Sequence, residues 1–221
     1  MPLTHAVSRF DVEIPSTSLA GEPIGLTGQL HLPESAIGLV LFAHGSGSSR
    51  LSPRNRHVAE VLQEARIGTL LFDLLTDREA ADRVNVFDIG LLADRLADAI
   101  HFARMHDQTA GLPLGLFGAS TGAAAAIVAA AADHDIAAVV SRGGRPDLAG
   151  RAIKRLQSPT LLIVGSHDPQ VLALNEAALH DLPGEKRMAI IPGASHLFEE
   201  PGTLDDVARL AAEWFARQMH G

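Results

Sequence analysis

The spacing of apolar residues changes along this 221-residue chain, and each spacing predicts a different element. Polar and apolar residues alternate in segments 8–14 and 28–32, which predicts two strands joined through a connection that contains Gly and Pro. Later runs of continuous apolar residues are typical of strands buried on both faces. We therefore predict six further strands, at 38–43, 69–74, 112–117, 136–140, 160–164 and 187–191.

Between these strands, apolar residues recur every three to four positions, as they do on the buried face of a helix. This spacing predicts helices at 54–65, 87–105, 122–132, 148–156, 171–182 and 204–219. Strands that alternate with helices predict an α/β fold: a mostly parallel, doubly wound sheet of about eight strands with helices on both faces. Ligands of such sheets bind beyond the carboxyl ends of the strands. The charged run 77–88 is predicted to be a solvated loop at that edge.

Composition and charge narrow the classes of partner. A hydrophobic content of 47% indicates a globular chain, and the length suits one domain over residues 1–221. The formal net charge of −8 argues against nucleic acid, because phosphate binding needs a basic surface. No apolar stretch approaches the roughly 20 residues that span a bilayer, and the start lacks a signal-peptide pattern. We expect a cytoplasmic monomer or homodimer that binds neither membranes nor nucleic acid.

The motif Gly118-Ala119-Ser120-Thr121-Gly122 lies between a predicted strand and a predicted helix. A serine at such a sharp turn has a strained backbone, which lifts its hydroxyl above the sheet edge. Side chains two residues before and after the serine would crowd the turn, so glycine suits both positions. We interpret Ser120 as a nucleophile.

A serine hydroxyl is a weak nucleophile and needs a base that an acid orients. His196 directly follows the last predicted strand, and we interpret it as the base. Asp168 follows the strand before it and is interpreted as the acid. Asp147, at the end of an earlier strand, is the alternative acid, and Asp73 is expected to be structural.

A glycine-rich loop, His44-Gly45-Ser46-Gly47, follows the third predicted strand. Its glycines allow the backbone to approach a ligand closely. We predict that the backbone N–H groups of Ser46 and Thr121 form an oxyanion hole. His44 is expected to shape this loop through hydrogen bonds, and His44 and Gly45 are expected to border the substrate.

Two arginines follow the strand 136–140, in the segment Ser141-Arg142-Gly143-Gly144-Arg145. Arg142 and Arg145 could bind a carboxylate or phosphate of the substrate through paired hydrogen bonds. The alternative is that an arginine pairs with Asp147 or caps a helix.

No metal or cofactor is expected. The histidines form no His-x-x-x-His pair with a nearby carboxylate on one helix. The glycine patterns of phosphate loops and of dinucleotide-binding turns are also missing.

The chain contains no cysteine, so disulfides and a cysteine nucleophile are excluded. In the order and position of its motifs, at Ser46, Ser120, Asp168 and His196, it resembles the α/β-hydrolase family over nearly its whole length. Within that family it is similar to the small dienelactone-hydrolase-like branch, which lacks a large cap domain. Dienelactone hydrolases themselves typically use a cysteine nucleophile, so the serine here favours a serine esterase.

The resemblance and the candidate residues together predict a carboxylesterase-like serine hydrolase. Ser120, His196 and Asp168 would form the catalytic triad, and small or short-chain esters are the expected substrates. The alternatives are a lactone or thioester hydrolase, an acyltransferase, or a binding protein that kept the fold and lost activity.

Overall fold

The computed structural model describes residues 6–219, so the first five residues, on which the expectation about a signal peptide depends, lie outside it. Eight strands form one sheet in the order β1-β2-β4-β3-β5-β6-β7-β8. The pairs β1–β2 and β2–β4 are antiparallel, and all other pairs are parallel, which confirms the predicted sheet. The strands are β1 (Val7–Thr17), β2 (Pro23–Pro33), β3 (Gly38–Ala43), β4 (Ile67–Phe72), β5 (Leu114–Ala119), β6 (Ile136–Arg142), β7 (Thr160–Gly165) and β8 (Lys186–Ile191).

Seven α-helices and one 3-10 segment are formed by residues 6–219, and they cover both faces of the sheet. The α-helices are α1 (Pro53–Glu64), α2 (Asp77–Ala80), α3 (Arg83–Val86), α4 (Ile89–Met105), α5 (Thr121–Ala132), α6 (Pro169–Asp181) and α7 (Thr203–Met219). Helices α1 and α7 pack on one face, and α4, α5, α6 and the 3-10 segment pack on the other. Between β6 and β7 the chain forms only this segment, Pro146–Arg155, and no cap domain.

Helix α7 closes one face of the core. Phe215 is fully buried, and Phe215 and Met219 fill the space that a side chain at Gly115 would take. Gly115 lies near the start of β5, so the end of α7 packs at the amino edge of the sheet. The amino edge is opposite the carboxyl edge, where ligands of such sheets bind.

The run 77–88 is mostly exposed, as its charges predict, but it is not a plain loop. It forms α2 and α3, and α2 begins with a capping box in which Thr76 and Glu79 exchange hydrogen bonds. The Glu79 carboxylate is buried and accepts a 2.6 Å hydrogen bond from Arg95 of α4. Arg95 also donates to Ser16 of β1 over 2.7 Å. A buried, paired carboxylate therefore fixes this rim to the sheet.

The predicted helix 148–156 is also different in the structure. Residues Pro146–Arg155 form a 3-10 segment that is interrupted at Gly150, where φ is 54° and ψ is −128°. This left-handed φ favours glycine and is incompatible with a continuous helix. Within residues 6–219, no helix has the length and hydrophobicity that a membrane span requires.

Candidate active site

Ser120 occupies the sharp turn between β5 and α5. Its φ of 52° and ψ of −119° lie in a region that L-residues rarely adopt and that costs about 1–3 kcal/mol. Two backbone hydrogen bonds of 3.1 Å hold this conformation: Ser120 N–H donates to the Arg142 carbonyl, and Arg145 N–H donates to the Ser120 carbonyl. The Ser120 hydroxyl makes no capping bond to α5, which leaves it available to a base.

The two glycines of the motif are required by close backbone contacts. A Cβ atom at Gly118 would lie 2.7 Å from the backbone nitrogen of Ala123 in α5. A Cβ atom at Gly122 would lie 2.7 Å from the carbonyl carbon of Ala43 at the end of β3. Glycine at both positions therefore lets α5 begin directly against two strands.

His196 and Asp168 are hydrogen-bonded to each other. The Nδ1 atom of His196 lies 2.7 Å from Oδ2 of Asp168. The other carboxylate oxygen, Oδ1, accepts a 3.4 Å hydrogen bond from Val171 N–H and caps α6. Since a carboxylate only accepts, Nδ1 of His196 carries a proton, which directs the lone pair of a neutral imidazole to Nε2, the arrangement that a general base requires.

The base loop, residues 192–200, is held at both of its ends. Ser166 Oγ accepts a 2.8 Å hydrogen bond from Gly193 N–H, and Glu200 Oε2 accepts a 3.0 Å hydrogen bond from Ser195 N–H. The bonds from Ser195 lower the pKa of the Glu200 carboxyl, so it stays ionised. Sequence reasoning missed Glu200, because a glutamate four residues after a histidine has no recognisable pattern.

Gly143 makes room for the imidazole of His196. Its φ is 52°, and a Cβ atom there would lie 3.5 Å from Nδ1 and from Cε1 of His196. Gly143 directly follows Arg142, whose carbonyl accepts the Ser120 N–H. The imidazole therefore lies beside the strand end that anchors the serine.

The oxyanion loop, residues 44–51, contacts the other side of the serine turn. A Cβ atom at Gly45 would lie 3.1 Å from Cβ of Ser120, so the loop backbone touches the serine. Ser46 N–H donates to the Thr121 hydroxyl over 2.9 Å. The two residues predicted to supply the oxyanion donors are thus in contact, through a side-chain hydrogen bond that sequence reasoning missed.

The His44 imidazole connects the oxyanion loop to the loop after β4. Its Nε2 accepts a 3.1 Å hydrogen bond from Leu74 N–H, and its Nδ1 donates to the Gly45 carbonyl over 3.1 Å. Burial lowers the pKa of His44, which therefore stays neutral.

A cavity of about 350 Å³ adjoins the oxyanion loop, and its wall includes His44, Ser46, Leu75 and Leu92.

The alternative acid, Asp147, and the residue expected to be structural, Asp73, both pair with arginines and not with His196. Asp147 accepts two hydrogen bonds of 2.8 and 2.7 Å from Arg145, which lowers its pKa. Asp73 accepts from the backbone and side chain of Arg50. Of the three carboxylates, Asp168 alone contacts His196.

The two arginines considered for anion binding have different surroundings. Arg145 is half-exposed and paired with Asp147. Arg142 is only 7% exposed, and its nearest polar partner is the Asn55 side chain, at 3.5 Å. Among residues 6–219, no three His, Asp or Glu side chains converge as metal ligands would.

Comparisons with known proteins agree with this architecture. A family model described as "Alpha/beta hydrolase domain" matches residues 36–211. The crystal structure of a dienelactone hydrolase from Anabaena variabilis is 53% identical, has a TM-score of 0.90, and the match covers 96% of this chain and 99% of that one. Est1E from Butyrivibrio proteoclasticus has a TM-score of 0.78 at 17% identity, over 96% of this chain and 99% of that one, and shows the similarity of fold alone.

Two longer relatives carry a different name. Proteins called "Putative phosphoribosyl transferase" in two strains of Mycobacterium tuberculosis are 56% identical over 200 residues. The match covers 90% of this chain and 45% of each relative. The chain thus spans about half the length of the curated relatives it matches, and their name describes the longer proteins.

Proposed function

Because the chain belongs to the α/β-hydrolase family, on its dienelactone-hydrolase-like side, we propose that it is a serine hydrolase that cleaves small carboxylic esters through an acyl-enzyme. The conformation of Ser120 is the observation that carries this proposal. A serine at φ 52° is strained, and strained residues cluster at active sites; its hydroxyl makes no capping bond to the helix and is available for chemistry. The imidazole of His196, oriented by Asp168, would supply the matching base.

In the proposed reaction, the Ser120 oxygen attacks the ester carbonyl carbon while Nε2 of His196 takes the hydroxyl proton. Asp168 keeps the Nδ1 proton in place and stabilises the imidazolium that results. The tetrahedral intermediate expels the alkoxide, which receives the proton from Nε2. Water then attacks the acyl-enzyme and transfers a proton to Nε2. The second tetrahedral intermediate breaks its bond to the Ser120 oxygen, which takes the proton back from Nε2, and the carboxylic acid is released.

The backbone N–H groups of Ser46 and Thr121 are the proposed donors to the oxyanion. The Thr121 hydroxyl accepts the Ser46 N–H and so holds it beside the serine. One N–H can serve two acceptors at once, so this donor can turn toward a developing negative charge without first losing its partner.

Small esters suit the cavity beside the oxyanion loop, whose volume of about 350 Å³ is at the lower end for small-molecule sites. Lactones and thioesters present the same electrophilic carbon, and an acyl-enzyme can also be transferred to an alcohol, so these reactions remain alternatives. The serine at position 120 favours ordinary esters over dienelactones, for which a cysteine nucleophile is typical. We assign no phosphoribosyl transfer to the chain, since that name belongs to relatives about twice as long.

The Ser120→Ala variant tests the proposal. We expect turnover of para-nitrophenyl acetate to fall by at least about 1,000-fold, because the nucleophile is removed. The unfolding midpoint should stay at or above the wild-type value, since alanine makes no new contact at the turn. Turnover at the wild-type rate would refute the serine mechanism, and a wild-type protein inactive on a panel of esters, lactones and thioesters would favour a binding protein.

A further inference from the structure

A polar cavity of about 390 Å³ lies between helix α1 and the outer strands β1 and β2, away from the proposed active site. Ala59 and Leu71 line it and are themselves buried on the sheet face that α1 and α7 cover. Strands β4 and β3 lie between β2 and β5, the strand that leads to Ser120. None of the three residues of the proposed triad lines this cavity, so it is a separate place for a ligand.

Three basic side chains line the cavity, and each comes from a different element: Arg9 of β1, His31 of β2 and Arg56 of α1. Arg9 and His31 are directly opposite each other in the antiparallel pair of strands. Like charges at opposite positions destabilise a sheet. Neither arginine forms an ion pair among residues 6–219, so no carboxylate of this part of the chain is in direct contact with them.

The His31 imidazole is held in place by a buried amide. Gln63 of α1 is only 8% exposed. Its Nε2 atom donates to the Thr69 hydroxyl over 2.8 Å and to Nδ1 of His31 over 3.1 Å. Because an amide nitrogen only donates, Nδ1 accepts, and Nε2 of the neutral ring carries the proton. The histidine therefore offers a second N–H group that this contact leaves free, on a ring whose orientation is already fixed.

The charges that act on His31 are mainly positive. Burial lowers the pKa of His31, and the charges of Arg9 and Arg56 lower it further. Asp11 raises this pKa, but by less than either arginine lowers it. The imidazole is therefore neutral at pH 7, and the two guanidinium charges outweigh the carboxylate at this point of the cavity. A positive field beside free N–H donors favours the binding of an anion.

Two carboxylates also line the cavity, and they narrow the kind of anion that fits. Asp11 accepts a 3.4 Å hydrogen bond from the Gln29 side chain, and Glu60 is exposed on α1. Carboxylates repel a second anion but accept hydrogen bonds from hydroxyl groups. The lining therefore suits a compact anion that can carry hydroxyl groups, and a volume of about 390 Å³ lies within the range of small-molecule sites.

We propose that Arg9, His31 and Arg56 bind a phosphate group, either as the free ion or as the monoester of a small hydroxylated molecule. This inference goes beyond the proposed function, since it concerns a second site on a different part of the sheet. A phosphate monoester carries a charge of about −1.5 to −2 at neutral pH and three strong acceptor oxygens, so it can accept from two guanidinium groups and an imidazole at once. In a monoester, Asp11 and Glu60 would accept from the hydroxyl groups.

Titration calorimetry with inorganic phosphate, glucose 6-phosphate and glucose tests the site. At neutral pH and low ionic strength, where charge attraction is least screened, both phosphates should bind the wild type and glucose should not. Glucose 6-phosphate that binds at least about tenfold more tightly than inorganic phosphate would identify the monoester as the ligand class, and a smaller difference would identify the free ion. If neither phosphate binds, or if glucose binds as tightly as glucose 6-phosphate, the proposal is wrong.

Variants of the two arginines test which side chains bind the phosphate. Arg9→Gln and Arg56→Gln should each weaken binding of the tighter phosphate by about tenfold or more, and the double variant should lose it. Both side chains are exposed, so the unfolding midpoint should change little. Arg187→Gln is the matched control, because it removes an exposed arginine from β8 at the opposite edge of the sheet. An equal loss of affinity in this control would indicate general charge attraction and refute the site, as would an affinity within about twofold of the wild type in the double variant.

Enzyme assays separate this inference from the proposed function. The Arg9→Gln, Arg56→Gln double variant should hydrolyse para-nitrophenyl acetate at the wild-type rate, and Ser120→Ala should bind the phosphate with wild-type affinity. If esters are hydrolysed but no phosphate binds, the phosphate site fails and the esterase proposal stands. If phosphate binding depends on the two arginines but no ester is hydrolysed, the esterase proposal fails and the phosphate site stands.

Discussion

The base loop and the oxyanion loop both reach the serine turn, but different forces hold them. In the base loop, the carboxylates of Asp168 and Glu200 accept hydrogen bonds from His196 and from Ser195 N–H. In the oxyanion loop, the contacts next to the serine turn are neutral: the His44 imidazole bridges two backbone groups, and a hydroxyl accepts the Ser46 N–H. The charged pair of Arg50 and Asp73 holds the far end of this loop.

This difference matches the charges that an acyl transfer would create. A positive imidazolium forms on the base side, where fixed carboxylates stabilise it. A negative oxygen forms on the other side, where a carboxylate would repel it and neutral N–H donors are needed. Removing a carboxylate contact of the base loop and removing a neutral contact of the oxyanion loop should therefore change kcat and stability to different extents.

The largest effect is expected from Asp168→Asn. The amide removes the negative charge and disturbs the imidazole tautomer, so kcat should fall about 1,000- to 10,000-fold. Asparagine still caps α6, so the unfolding midpoint should change little. The matched control is Asp147→Asn, which should retain turnover within about twofold, because Asp147 pairs with Arg145. A large loss at Asp147 alone would reassign the acid.

A smaller effect is expected from Thr121→Val, which removes the acceptor of the Ser46 N–H at nearly constant shape. The oxyanion donor then loses its support, so kcat should fall about tenfold while KM stays unchanged, the pattern of a contact that matters in the transition state. Thr121→Ser keeps the hydroxyl and should recover most of the rate. An increase in KM with kcat unchanged would show that the hydroxyl serves substrate binding instead.

The smallest effect concerns pH and His44. Burial lowers its pKa in the fold, so below the ordinary histidine pKa of about 6.5 the unfolded chain binds a proton that the folded chain does not. Stability contributed by neutral His44 is complete above that pH and is lost as the pH falls, by at most about 1.4 kcal/mol per pH unit. Unfolding by denaturant between pH 7 and pH 5 measures this slope.

In the His44→Gln variant, the loss of stability between pH 7 and pH 5 should be smaller than in the wild type. His101→Gln, a change at an exposed position, is the control and should keep the wild-type pH dependence. If stability depended on pH equally in His44→Gln and the wild type, protonation of His44 would not contribute to the loss of stability at low pH.

The parts of the site that depend on local rules could be predicted from the sequence. The spacing of Gly118, Ser120 and Gly122 predicts a strained turn, and the structure places Ser120 at φ 52° there. Runs of apolar residues show where the strands end, so the sequence assigns Asp168 and His196 to the same edge of the sheet. In the structure these two side chains are 2.7 Å apart.

Contacts between distant segments could not be predicted in this way. The Thr121 hydroxyl and the Ser46 N–H are 75 positions apart, and no local pattern couples them. The sequence also treats Arg142 and Arg145 alike. The structure separates them because Arg142 ends β6 and points with Val140 toward α1 and α7, whereas Arg145 lies in the loop beyond and meets Asp147.

The packing of Met219 against the amino edge of the sheet has a practical consequence for handling the protein. The end of α7 lies at the opposite edge of the sheet from Ser120, because β5 begins near Gly115 and ends at the serine turn. An affinity tag, a fluorophore or a solid support attached after α7 would therefore be carried on the side remote from the reacting groups. A protein immobilised in that orientation would present its serine to the surrounding solution.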